Sequence, residues 1–185
     1  MKRYVIFAGV NGAGKTTLYQ TSEEYRDIPR VNVDEIVREI GNWKDPQTVA
    51  KAGRIAVKRI KEYMDSGQSF NQETTLCGRS IFSLIKRAKE LGYAVDLFYV
   101  GLQSEELAIE RVNQRVKAGG HGIPEEDIRR RYRESLNNLQ KVITLCDSVR
   151  IYDNTEEFKR IGSYAHGECI DMVDNLPEWS AFLNE

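Results

Sequence analysis

Histidine and cysteine are scarce in this chain, and neither is spaced to hold a metal. The two histidines, His121 and His166, stand far apart with no cysteines at ligand spacing, which argues against a zinc site. The three cysteines, Cys77, Cys146 and Cys169, are odd in number and form no C-x-x-C pair, so free thiols in a reducing, cytoplasmic setting are expected. No apolar run approaches the ~18 residues of a membrane span. Met1-Lys2-Arg3 could start an export signal, but the apolar segment behind it ends at once in a glycine-rich loop, so none is expected. With 27 basic and 28 acidic side chains the net charge is −1, which supplies no global attraction to nucleic acid or an anionic membrane. There is no internal repeat, low-complexity segment or dividing linker. The 185 residues therefore read as one domain, 1–185, long enough to bury a continuous core.

What is present is concentrated near the start. Gly9-Val10-Asn11-Gly12-Ala13-Gly14-Lys15-Thr16 fills every fixed position of the phosphate-loop pattern G-x-x-x-x-G-K-S/T. The apolar run Tyr4 to Ala8 predicts a buried strand before it, and Thr17 to Tyr25 predicts a helix after it. Glycines let backbone N–H groups wrap a polyphosphate where a Cβ would obstruct. The helix start adds its own unpaired N–H groups and positive dipole end. Lys15 is the candidate for the β/γ-phosphates and Thr16 for a Mg²⁺ ion, with Thr17 completing the nucleotide set. The competing reading is a glycine-rich turn that merely caps a helix.

Further along, Arg30 to Val33 predicts a short second strand ending at Asp34, with a brief helix over Glu35 to Ile40. A carboxylate just beyond a strand of an open α/β sheet faces the ligand crevice, so Asp34 is a candidate base for an acceptor hydroxyl. A helix N-cap is the alternative for the same residue. Lys44 to Gln47, with Pro46, reads as a break, and Thr48 to Ser66 as a helix whose apolar stripe is core. Ser69 to Thr75 predicts a third strand, with Glu73 at its end and Thr75 and Arg79 just beyond as substrate-side candidates. Ile81 to Leu91 predicts a helix, and Tyr93 to Leu102 a central strand that is apolar at nearly every position. Its lone acid, Asp96, lies too early in the strand to serve a metal.

Ser104 can cap the next helix, and Lys117 to Ile123 interrupts it with three glycines. Pro124 at a first helical position opens another. The stretch Arg111 to Arg133 carries Arg111, Arg115, Lys117, Arg129, Arg130, Arg131 and Arg133, which reads as a lid over phosphates or else a solvated basic face. Ser148 to Tyr152 predicts a fifth strand, with Asp153-Asn154 at its end beside the expected adenine. A hairpin around Ala165 to Glu168 and a short terminal helix fill about 156–185.

With these residues in place, the chain resembles the zeta toxin family of P-loop kinases over roughly Tyr4 to Asn154. The best-known members of that family phosphorylate UDP-N-acetylglucosamine. Lys15 and Thr16 match its loop residues, and Asp34 in Val33-Asp34-Glu35 matches its general base. Glu73-Thr74-Thr75 is similar to its acid-x-threonine, which implies substrate and metal contacts for Glu73 and Thr75. Arg111 resembles a phosphate-clamping arginine. Where this chain has His121, ahead of Gly122-Ile123-Pro124, the family pattern has a second catalytic arginine. That charge would then come from Arg115 or from one of Arg129, Arg130 and Arg131, with His121 on the substrate side.

The resemblance implies a three-layer α/β/α P-loop kinase fold, a mostly parallel five-stranded sheet in the order 2-3-1-4-5, and a C-terminal hairpin. The implied activity is Mg²⁺-dependent transfer from ATP to a hydroxyl of a small molecule, with a UDP-activated amino sugar as the family's acceptor. A nucleoside, nucleotide or polynucleotide kinase, or a nucleotide-dependent switch with slow hydrolysis, are the alternatives. The absence of N-K-x-D weakens a GTP-dependent switch. Membrane and nucleic-acid partners are not expected, and an antitoxin partner stays open.

Overall fold

The computed structural model describes residues 1–184, and one seven-stranded sheet runs through it in the order β2-β3-β1-β4-β5-β6-β7. Its strands are β1 (Arg3–Gly9), β2 (Arg30–Asn32), β3 (Phe70–Thr74), β4 (Ala94–Gly101), β5 (Ser148–Asp153), β6 (Lys159–Ala165) and β7 (Glu168–Met172). The first five pair in parallel, in the order expected, and β6 and β7 continue the sheet antiparallel. The C-terminal hairpin is therefore part of the sheet. It covers the edge that β5 would otherwise leave unpaired, and it buries Ile161. Its two-residue turn, His166-Gly167, has both backbones left-handed (φ 51 and 84), which matches the twist of the strands it joins.

The helices are α1 (Lys15–Thr21), α2 (Val33–Ile40), α3 (Pro46–Ser66), α4 (Ser80–Glu90), α5 (Glu105–Lys117) and α6 (Glu125–Ile143), with short 3₁₀ turns at Glu23–Tyr25 and Glu178–Asn184. Several helix starts differ from the sequence reading, and α2, for one, begins at Val33, two residues before Glu35, because Asn32 caps it there. α1 begins at Lys15 because Gly14, at φ 96, turns the chain into it directly. Pro46 opens α3 in place of breaking the chain, since the Asp45 carboxylate caps the N–H groups of Gln47 and Thr48. Pro124 stands one residue before α6, extended at ψ 139. Ser104 caps α5 as its position predicts, accepting from the Leu107 N–H at 3.2 Å.

Alternation along the strands sorts the core onto two faces. Val5, Phe7, Phe98 and Val100 pack with Leu18 of α1 and with Ala108, Ile109 and Val112 of α5. Tyr4, Ile6, Leu97 and Tyr99 pack on the other face with α3, α4 and the C-terminal half of α6. α6 contributes to both, with Ile128 on the first face and Leu139 and Val142 on the second. It passes over the carboxyl ends of the strands, where Tyr132 Oη donates to Leu102 O (2.8 Å) and Asn138 Nδ2 to Leu76 O (2.8 Å). That crossing roofs the crevice in which the site lies.

Candidate active site

The phosphate loop is a tight backbone structure between β1 and α1. At Gly9 (φ 143) a Cβ would sit 2.1 Å from Val100 O, so the strand cannot leave β4 with any other residue. α5 presses on the loop at Gly12, where a Cβ would lie 3.0 Å from Arg111 Cβ. Asn154 Nδ2 donates to Ala13 O at 2.9 Å, which ties the end of β5 to the loop. Val10 and Ala13 are buried, and Thr17 is exposed on α1. Lys15 is only 8% exposed and its ammonium donates to Val10 O at 3.0 Å. Burial pulls its pKa below the ordinary lysine value; the carboxylates of Glu73 and Asp34 oppose that shift, and Arg115 adds to it.

A cavity of about 740 Å³ opens beside the loop. Asn11, Lys15, Asp34, Glu73, Thr75, Arg115, His121 and Arg131 all line it. Thr16 Oγ1 lies 3.1 and 3.2 Å from the two Glu73 carboxylate oxygens, so the hydroxyl at the start of α1 and the acid near the end of β3 face one another. Asp34 does not cap α2. Asn32 does, accepting the Asp34 N–H at 2.8 Å, and this frees the Asp34 carboxylate for the cavity.

The lid arginines separate by what they touch. Arg129 is bound to Glu105 and Glu106, Arg130 to Asp127 and Glu134, and Arg133 to Glu105. Arg115 and Arg131 form no ion pair among the described residues and both line the cavity. Arg115 Nε holds the lid loop through His121 O (2.8 Å), while its Nη2 is buried with no hydrogen-bond partner among the described residues. Arg111 lies on the other side of the phosphate loop, outside the cavity, donating to Thr155 O at 3.0 Å. Arg79 is also outside it. Leu76 and Gly78 both adopt left-handed backbone (φ 62 and 78), and the turn they make leaves Arg79 exposed ahead of α4.

Several lining groups carry no local signal in the sequence. Trp43, Pro46, Val49 and Ala50 form an apolar wall. Cys77 lies opposite, its thiol pushed up by burial and directed at Arg131 O (3.3 Å), so it is no reactive thiolate. His121 packs against Trp43, with ring centroids 5.3 Å apart. Its Nε2 stands 3.6 Å from Asp34 Oδ1, too long for a hydrogen bond, and its Nδ1 is buried without a hydrogen-bond partner among the described residues.

Burial lowers the His121 pKa from 6.5, Asp34 opposes the shift, and Arg115, Arg131 and Arg38 reinforce it. The folded state thus binds this proton less readily than the unfolded chain. Stability is full above 6.5 and is lost as the pH falls toward the lower folded value. Thermal melts between about pH 5 and about pH 7.5 should show this slope, and His121→Gln should flatten part of it. An unchanged slope in the variant would assign the effect to other groups.

A parallel sheet in this order, with a complete G-x-x-x-x-G-K-T loop leading into the first helix, defines a P-loop phosphotransferase of the kinase type. The zeta toxin family model matches residues 2–163, and the chain belongs to that family. It is 34% identical over 128 residues to an uncharacterised protein of Haemophilus influenzae, covering 69% of this chain and 91% of the relative. Among solved structures, it is similar in fold to AvrRxo1-ORF1:ORF2 crystallised with ATP (TM-score 0.71, 17% identity). All of this chain is covered there but only 63% of the other, so it spans less than two thirds of that protein's length. The PezAT toxin-antitoxin system of Streptococcus pneumoniae is also similar (TM-score 0.60, 17% identity, 97% of this chain and 76% of that one). No helix among the described residues is long and apolar enough to cross a membrane.

Proposed function

We propose that this protein transfers the terminal phosphoryl group of MgATP to a hydroxyl of a small molecule, with UDP-activated amino sugars as the acceptor class suggested by its family. One observation carries the reading: a single cavity is lined at once by the loop lysine, by Asp34 and by Glu73. At about 740 Å³ it falls within the roughly 300–1,000 Å³ of small-molecule sites.

In this mechanism the loop amides and Lys15 hold the β- and γ-phosphates, and Lys15 exchanges its bond to Val10 O for a phosphate oxygen. The residues present suit Mg²⁺. Thr16 and Glu73 offer hard oxygen donors side by side, and no cluster of three or more metal-binding side chains exists among the described residues. An ion held by one carboxylate, a hydroxyl and the phosphates themselves is the usual arrangement for Mg²⁺. Bound there, it would neutralise charge on the phosphate oxygens. Asp34 accepts the proton of the acceptor hydroxyl, and the apolar wall around Trp43 packs the acceptor's body. Arg115 and Arg131 meet the charge that develops on the transferring group, in the role the family gives to an arginine at the His121 position. Arg111 and Asn154 support the loop on its nucleotide side.

The arginines offer the test. Arg131→Ala breaks no hydrogen bond of its side chain among the described residues, yet it should lower the transfer rate by about 10³-fold with ATP affinity little changed. Arg129→Ala, which removes ion pairs to Glu105 and Glu106 outside the cavity, should keep the rate within about threefold. The reverse pattern in steady-state kinetics would contradict this assignment of the lid charge.

A further inference from the structure

Arg30, the first residue of β2, is buried on nearly all sides; its side chain is 10% exposed. Each of its three guanidinium nitrogens has an acceptor, and one flat face is covered. Nε donates to Glu35 Oε1 at 3.0 Å, Nη1 to Asn71 Oδ1 at 3.4 Å, and Nη2 to Glu73 Oε2. Its flat face stacks on Tyr19, with Cζ 3.7 Å from the ring centroid. These partners belong to three different elements: Tyr19 to α1, Glu35 to α2, and Asn71 and Glu73 to β3. A planar fork with bonds in three directions and a ring beneath it has no freedom left to rotate. The carboxylate it grips is itself 11% exposed, and both oxygens of that carboxylate lie beside Thr16 Oγ1.

We infer that Arg30 is the positioning residue of the metal site, aiming the Glu73 carboxylate at the Thr16 hydroxyl and, through Glu35, bracing the helix that carries Asp34. The inference rests on the phosphotransferase reading and adds to it a residue that touches neither substrate nor phosphate. A purely structural ion pair would make a different demand: any cation near Glu73 would satisfy it. A lysine keeps the charge but cannot hold Glu35, Asn71 and Glu73 in one plane. Partners that orient a metal ligand from behind are worth about 10- to 100-fold in metal affinity.

The test is binding of a fluorescent ATP analogue to the full chain, titrated with MgCl₂ and repeated in chelator. For Arg30→Lys the Mg²⁺ concentration at half-effect should rise by about 10- to 100-fold, with metal-free nucleotide affinity within about twofold of wild type. Should that variant fail to fold, Tyr19→Leu removes the ring under the guanidinium and leaves its hydrogen bonds, and a rise of about threefold in the same reading is expected. Mg²⁺ curves that coincide with wild type overturn the inference alone. So does a loss of metal-free affinity equal to the loss with metal, because that marks a general disturbance of the loop. Wild-type protein that binds no nucleotide overturns the phosphotransferase reading together with the inference.

Discussion

Replacing Lys15 with alanine is expected to abolish ATP turnover, by about 10³-fold or more, while leaving the fold in place. The residue is 8% exposed, and the one hydrogen bond of its ammonium among the described residues is to Val10 O of its own loop. No ion pair among the described residues depends on it. Burial has already lowered its pKa, so the protein without nucleotide keeps an ammonium partly stripped of water and unpaired. In the proposed mechanism the polyphosphate of ATP is the partner that offsets this cost. Removing the lysine therefore removes the charge that the β/γ oxygens meet, without breaking the fold. Thermal melting of Lys15→Ala should be equal to or slightly above wild type, measured beside ATPase and transfer rates. Retained turnover would refute the phosphate-loop assignment.

The second large effect is expected at Asp34. Asparagine keeps the shape of the side chain and cannot take a proton, so Asp34→Asn should lower transfer by about 10²- to 10⁴-fold. The bond that shapes the start of α2 runs from the Asp34 backbone N–H to Asn32 Oδ1 and survives the substitution. Nucleotide affinity should therefore stay within a few-fold of wild type, as read by titration with an ATP analogue. Loss of binding along with transfer would move Asp34 into a structural role.

The parts of this site that were legible in the sequence are those with a local cause. The strand-loop-helix over residues 3–21 shows in eight consecutive residues whose glycines and lysine have one purpose together. β4 shows in a near-continuous apolar run that only Asp96 interrupts, and it lies buried between β1 and β5. Asp34 shows through its place after β2. Its alternative as a helix cap was open only because asparagine and aspartate both cap helices well and stand two residues apart here, and the structure gives that role to Asn32.

The rest depends on distance in sequence. Arg30 meets Glu73 across 43 residues, and nothing in a three-residue strand marks it as more than a surface base. Trp43 reaches His121 only because the chain after α2 and the loop before α6 converge on one cavity. The arginine-rich stretch looked uniform, and only the positions of Glu105, Glu106, Asp127 and Glu134 divide it into bound and unbound members. The hairpin joined the sheet because β5 presents an unpaired edge, a fact of strand order that no local pattern contains.

The most direct test of the central claim is to incubate the protein with ATP carrying a labelled terminal phosphate and a small-molecule metabolite extract, then separate the products by mass. Wild-type protein is predicted to place the label on a hydroxyl-bearing small molecule, with UDP-activated sugars prominent among the products, and Asp34→Asn is predicted to place it on none. Label released by wild type only as inorganic phosphate would contradict the account and leave a nucleotide-dependent switch in its place.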